Sequence, residues 1–288
     1  MRVADSPTGL ERLPRAAAIG TFDGVHLGHR SVIAAAAATG LAPTVLTFHP
    51  HPRLALGNRV ELLATTERRL ELLEAAGVES TLVVGFTPDV MELAPEEFAE
   101  SYLRAIGTEV VVAGEDFRFG HRRSGDLGTL ERLGFRTIVA PEVEGVSSSL
   151  IRQALHDGDL AGAARMLGRP PELDGVVVAG DQRGGTLGYP TANLRVDPEL
   201  LVPRYGIYAG STLDHRAAIS IGTNPHYGGD ERRIEPYLLD FEGDLYGRRL
   251  VVELWERLRD EAVFESEEAL VEQIGRDVEA TRAAVRPS

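Results

Sequence analysis

The sequence predicts a two-part fold: a doubly wound α/β domain, then a small all-β domain ending in a helix. Three observations carry this. Up to about Gly168, apolar strand-like runs alternate with helical stretches, the rhythm of a parallel sheet covered on both faces. At Arg169-Pro170-Pro171 that rhythm stops, and closely spaced strand-like runs joined by glycine-rich turns follow, as in a small barrel or sandwich. From Ser266 a long helical pattern closes the chain. A chain of 288 residues is long enough for two cores, and the expected domains are 1–169 and 170–288.

Taken in order, the apolar run 16–19 reads as the first buried strand and leads, through a short loop, into a helix over 31–36. Further buried strands are expected at 43–48, 80–86, 109–113 and 135–140. The helix expected at 66–76 opens on Thr-Glu and stops at Gly77; that at 95–106 opens on Pro-Glu-Glu and stops at Gly107. In such sheets ligands sit at the carboxyl ends of the strands. In the second part, strands are expected at 175–180, 205–213, 216–221, 232–241 and 248–256. Ser266 is the N-cap of the final helix, with Leu270, Ile274 and Val278 on one stripe.

Composition narrows the function classes. Hydrophobic residues make up 43% of the chain, and no apolar run approaches the roughly 20 residues that span a bilayer. The first residues lack the apolar core of a signal peptide, so a cytoplasmic protein is expected. There is no cysteine, which removes disulfides, thiolate catalysis and cysteine-bound metals. The net charge is −14, and all 30 Lys/Arg positions are arginine. An acidic chain binds nucleic acid and anionic membrane poorly, so neither is expected as a partner. Without lysine there is no Walker-type phosphate loop. Any anionic ligand must be held locally, by arginine forks, backbone N–H groups or a bound cation.

The stretch Ile19-Gly20-Thr21-Phe22-Asp23-Gly24-Val25-His26-Leu27-Gly28-His29 is the most informative. It lies where a strand hands over to a helix N-terminus, whose free N–H groups and partial positive charge attract phosphate. Gly20, Gly24 and Gly28 let backbone approach a ligand closely. His26 and His29 can donate hydrogen bonds to phosphate oxygens as charge builds in a transition state. The motif resembles the His-x-Gly-His signature of the nucleotidyltransferase superfamily, and in its longer form, Gly-x-Phe-Asp-Gly-Val-His-x-Gly-His, that of bacterial FAD synthetases. Two later stretches extend the resemblance. Gly114-Glu115-Asp116-Phe117-Arg118-Phe119-Gly120 resembles that family's Gly-x-[Asn/Asp]-Phe-x-Phe-Gly loop. Val146-Ser147-Ser148-Ser149-Leu150-Ile151-Arg152 resembles its Ile-Ser-Ser-Thr-x-Ile-Arg segment, with Ser149 in place of Thr.

The resemblance implies that Gly20, Phe22, Asp23, Gly24, Gly28, Asp116, Ser147, Ser148, Ser149 and Arg152 bind ATP, with His26 and His29 catalytic. Asp116 suits adenine or ribose; Phe119 could stack on the flavin, whereas Phe117 is as readily a core plug.

In the second part, the segment from Gly180 to Asn193 resembles the glycine-rich loop and Pro-Thr-Ala-Asn motif of riboflavin kinases. Thr191 and Asn193 place two neutral oxygens on one side of an extended segment, which suits Mg²⁺ shared with nucleotide phosphates. Gly180, Gly184, Gly188 and Pro190 are then expected at ATP. Glu235, in Arg233-Ile234-Glu235-Pro236-Tyr237, matches the family's catalytic base, and Arg259 is a candidate flavin contact. Ala262-Val263 departs from the family's polar or basic pair, and His226 stands where Thr is common.

Together the motifs resemble the bifunctional riboflavin kinase/FAD synthetase family over nearly the whole chain. The resemblance implies a Rossmann-like nucleotidyltransferase domain and a Greek-key-type β-barrel. It implies two Mg²⁺- and ATP-dependent steps: riboflavin to FMN and ADP in the barrel, then FMN to FAD and pyrophosphate in the first domain. Partners are expected to be these small molecules, with the chain a monomer or weak homo-oligomer. Two alternatives stand beside this reading: a cytidylyltransferase with an unrelated barrel, and a flavin carrier without turnover.

Overall fold

The computed structural model describes residues 1–179, 189–223 and 232–287. Packing divides the chain into two compact units: Met1–Val60 with Thr66–Val146, and Glu61–Thr65 with the chain from Ser147 onward.

The first unit is built on a six-stranded parallel sheet of β1 (Arg2–Ala4), β2 (Arg15–Ile19), β3 (Ala42–His49), β4 (Ser80–Gly85), β5 (Thr108–Ala113) and β6 (Arg136–Val139), in the order β1-β4-β3-β2-β5-β6. The chain winds outward from β2 through β3 and β4 in one direction and through β5 and β6 in the other. The crevice between the carboxyl ends of β2 and β5 is therefore the topological switch point, where such sheets bind ligands. Its helices are α1 (Leu27–Ala37), α2 (Pro52–Ala55), α3 (Thr66–Ala75), α4 (Pro88–Glu92), α5 (Pro95–Phe98), which continues as a π-turn over Ala99–Arg104, and α6 (Leu127–Arg132). The fully buried β2 explains its small side chains, Ala16 to Ala18, between strands on both sides. Arg15, 2% exposed at its start, donates to Thr44 and Ser80 side chains and to the Ile106 and Glu11 carbonyls. That satisfies a guanidinium which burial would otherwise penalise.

The second unit is a nearly closed antiparallel barrel of β7 (Glu172–Val178), β8 (Asn193–Val196), β9 (Gly206–Thr212), β10 (His215–Thr223), β11 (Arg232–Leu238) and β12 (Arg249–Arg259), ordered β11-β10-β9-β12-β7-β8. β9, β10 and β11 form a meander and β12 returns beside β9, which is the Greek key. The Ala192 N–H donates to the Pro236 carbonyl at 2.9 Å, drawing the β8 side toward β11. Helices α7 (Ser148–Asp157) and α8 (Leu160–Leu167) precede the barrel and α9 (Glu267–Ala283) follows it. Each starts on a side-chain cap, Ser147, Asp159 and Ser266, and the first two end on left-handed glycines, Gly158 and Gly168.

The α/β-then-barrel expectation agrees with this architecture. The short strands β1 and β8 were not anticipated, because three or four residues leave too little periodicity to read. The packing boundary also falls elsewhere than 169/170. Ile151, Leu155, Leu160 and Leu167 join Leu173, Tyr208, Ile219 and Val252 in the barrel's core, so α7 and α8 belong to the second unit.

Candidate active sites

The loop leaving β2 is tightly constrained. Phe22, Gly24 and Val25 all have positive φ, at 51°, 82° and 41°. For Phe and Val this is costly and persists only where surroundings enforce it. Phe22 and Asp23 are both 1% exposed, and the Val25 N–H closes the turn onto the Phe22 carbonyl at 3.1 Å. His26 is the N-cap of α1: its Nδ1 accepts from the His29 N–H at 3.3 Å. In a neutral ring that places the proton on Nε2. The same histidine side chain thus fixes the start of the helix.

His26 and His29 stack, with ring centroids 3.6 Å apart and planes inclined by 16°, and Phe22 lies 5.1 Å from His29. His29 keeps a partly exposed edge, while its Nδ1 is sealed from solvent with no hydrogen-bond partner among the described residues. Burial, then His26 and the Arg69 guanidinium, hold the His29 imidazole well below the ordinary histidine value. It is therefore a neutral ring at neutral pH.

The 114–119 loop leaves the carboxyl end of β5, next to β2. Asp116 is exposed there. Phe119, expected at the flavin, is 7% exposed and packs at the core against Phe98. Phe117 stacks on it at 5.5 Å and is the more exposed ring. The third expected piece lies in the second unit. Ser147 caps α7 by accepting from the Leu150 N–H at 3.2 Å, Ser148 is half-buried and Ser149 exposed. Arg152 Nε donates to the Glu61 carbonyl at 2.6 Å.

The second unit holds a pocket of about 470 Å³ on the outer face of the barrel, beneath α9. Period-2 alternation builds its floor. Arg233, Glu235 and Tyr237 of β11, and Ala218, Ser220 and Gly222 of β10, line it, while Ile234, Leu238, Ala217, Ile219 and Ile221 between them face the core. Thr191 and Asn193 share the same pocket, as do Arg259, Glu261 and Phe264 at the end of β12 and Leu270, Ile274 and Asp277 of α9. Arg233 Nη1 lies 3.8 Å from Glu235 Oε1. Tyr189 meets Tyr237 edge-on at 5.4 Å. Burial pushes the Glu261 carboxyl up, partly offset by Arg259.

The structure thus brings Thr191, Asn193, Glu235 and Arg259 together. Pro190 is exposed outside the lining; Gly180, Gly184, Gly188 and His226 lie outside the described residues. Sequence reasoning missed Asp277, whose carboxylate takes Arg259 Nη2 at 2.7 Å and Nε at 3.0 Å. Its spacing after Leu270 and Ile274 continues their helical stripe, and that was the available signal. Arg233 and Tyr237 follow likewise from Glu235 by strand alternation. Arg69 had no signal beyond membership of a helix.

A nucleotide-binding sheet with a strained histidine loop, joined to a barrel with a carboxylate-bearing pocket, defines a two-site transferase. The FAD synthetase family model matches residues 11–151 and the riboflavin kinase family model residues 167–285. Curated relatives described as bifunctional riboflavin kinase/FMN adenylyltransferase are similar along most of the chain. That of Listeria monocytogenes is 38% identical, covering 92% of this chain and 91% of its own. That of Escherichia coli K12 is 35% identical, covering 90% and 89%. A crystal structure described as a macrolide-efflux protein from Streptococcus pneumoniae superposes with a TM-score of 0.86 at 31% identity, over 97% of this chain and 98% of that one. Among the described residues here, no helix is long and apolar enough to cross a membrane. The chain belongs to the bifunctional riboflavin kinase/FMN adenylyltransferase family.

Proposed function

We propose that this chain performs both reactions of its family: transfer of the γ-phosphoryl group of ATP to riboflavin in the barrel, and transfer of AMP to FMN, releasing pyrophosphate, in the α/β unit. The observation that carries the first assignment is the convergence of Glu235, Thr191 and Asn193 on one pocket. In phosphoryl transfer the protein's work is positioning and charge stabilisation, with a carboxylate to take the alcohol proton. Glu235 has that role. Arg259, fixed by Asp277, positions the flavin.

The donor set suits a hard cation. Thr191 and Asn193 offer neutral oxygens from one side of the pocket, leaving the nucleotide phosphates to supply the negative ligands. These two residues would hold Mg²⁺, which when bound supplies charge neutralisation at the phosphate oxygens.

In adenylyl transfer the attacking FMN phosphate is already charged, so a strong base is not needed. His26 and the neutral His29 donate to phosphate oxygens, and the α1 N-terminus adds its partial positive charge. Gly20, Phe22, Asp23, Gly24 and Gly28 shape the loop; Asp116, Ser147, Ser148, Ser149 and Arg152 are assigned to ATP by their motifs. Asp116 is assigned to the adenosine end. Residues 1–169 would carry adenylyl transfer and residues 170–288 the kinase. The enzyme would act in the cytoplasm, as a monomer or weak homo-oligomer.

The test is incubation with riboflavin, ATP and Mg²⁺, followed by chromatography of the flavins. FMN should appear first and FAD after it. Flavin recovered unchanged would refute the proposal. A flavin cytidine dinucleotide formed from FMN and CTP, with no FAD formed from FMN and ATP, would point instead to cytidylyl transfer.

A further inference from the structure

Arg69 has no part in the two reactions as described, yet its placement is unusual. It lies on α3 and is 5% exposed. Burying a guanidinium carries a large desolvation cost, which a solvent-facing position would have avoided. Its two Nη groups donate to backbone carbonyls: Nη1 to Thr21 at 2.9 Å and Nη2 to Phe48 at 3.0 Å. Its Nε is buried with no hydrogen-bond partner among the described residues.

Thr21 opens the strained loop after β2, and Phe48 is at the end of the adjacent β3. The fork therefore ties the loop to the sheet at its first step, immediately before Phe22 with φ of 51°. A backbone held in this region needs such enforcement. The loop ends in His26, which caps α1 and stacks on His29.

We propose that Arg69 is a positioning residue for adenylyl transfer: a buried, two-armed tie that fixes the 20–26 loop against β3 and thereby sets the stacked imidazoles where they meet the nucleotide phosphates. This rests on reading that loop as the adenylyl-transfer site. Charge works in the same direction. The charged or titratable groups acting on His29 are His26, the cap of α1, and Arg69 of α3, and buried Asp23 of the loop acts on Arg69. The Arg69 cation opposes protonation of His29, so the ring stays neutral and keeps one N–H donor.

The test uses the full chain with Arg69→Lys, Arg69→Met, His29→Ala and the double variant His29→Ala/Arg69→Met. FAD formation from supplied FMN and Mg-ATP is measured as kcat and KM, and thermal unfolding is followed in parallel. Arg69→Met should lower kcat by about 10²-fold, the scale of a misplaced catalytic group, with KM for ATP within roughly threefold. Arg69→Lys keeps the charge but not the fork, and should recover to within about tenfold of the parent. Because Arg69 acts through the histidines, the double variant should be no slower than His29→Ala alone. In histidine-labelled NMR spectra, the His29 ring should protonate at higher pH in Arg69→Met than in the parent.

Multiplicative losses in the double variant would overturn the proposal. So would an Arg69→Met protein with parental kcat. A parent that makes FMN but no FAD would overturn the site reading itself. A parent that makes FAD, with Arg69→Met equal to it, would overturn the positioning role alone.

Discussion

Replacing Asp277 should loosen the barrel pocket from the side of α9. Asp277 is 6% exposed, and its carboxylate accepts from Arg259 Nη2 at 2.7 Å, Arg259 Nε at 3.0 Å and Gln273 Nε2 at 2.8 Å. Removing one partner of a buried pair costs about 3–5 kcal/mol. The Arg259 side chain keeps 22% of its accessible surface, so water replaces part of what is lost. For Asp277→Ala a cost of about 2–3 kcal/mol is therefore expected. With a urea dependence of about 2 kcal/mol/M, the unfolding midpoint of the barrel should fall by about 1–1.5 M. Arg259 also lies 5.8 Å from the Phe264 ring centroid and lines the pocket. Without its anchor, the riboflavin KM should rise about tenfold, equivalent to about 1.4 kcal/mol. Asp277→Asn keeps the shape and one acceptor and should lose roughly half as much energy. The assays are equilibrium urea unfolding and initial rates of FMN formation. An Asp277→Ala protein with unchanged midpoint and unchanged KM would show that Arg259 is oriented by something else.

Three further outcomes are expected. Glu235→Gln should lower FMN formation by about 10²–10⁴-fold while FAD formation from supplied FMN continues; kinase activity within a few-fold of the parent would remove Glu235 as the base. A fragment from Ser147 to the C-terminus should resist urea better than one from Pro170, because Ile151, Leu155, Leu160 and Leu167 are at most 5% exposed in the barrel's core. Both fragments should phosphorylate riboflavin, and equal urea midpoints would refute the role given to α7 and α8. Burial pushes the Glu253 carboxyl up, but bonds from Arg286, Trp255 and Ser211 outweigh it and hold it below the ordinary glutamate range. Its stabilising contribution is thus complete above that range and lost as pH falls through it. Arg286→Ala should flatten the loss of stability between about pH 5 and pH 3; an unchanged acid profile would count against the clamp.

Much of the fold is legible in the chain because its determinants are local. Alternating apolar runs mark the strands β2 to β5, and Ser266 marks the start of α9 within a residue. The candidate residues Thr191, Asn193, Glu235 and Arg259 were picked by motif alone, and they line one pocket. The aromatic loop shows the limit of that approach. Phe117 and Phe119 are two residues apart and chemically identical, and nothing in the sequence says which one fills the core. Packing against Phe98 assigns that place to Phe119.

What the sequence determined by itself was the order of elements and the kind of chemistry, since periodicity, capping residues and short motifs are properties of neighbours along the chain. The tertiary structure alone decided which distant residues serve those motifs. Arg69 reaches Thr21 and Phe48 across 48 and 21 positions of chain, and Asp277 reaches Arg259 across 18. It also decided that α7 and α8 complete the barrel's core, where they are separated in composition from nothing that precedes them. The physical reason is common to all three. Burying a charge or an apolar face is favourable only against a particular partner, and the partner is chosen by the fold rather than by sequence proximity.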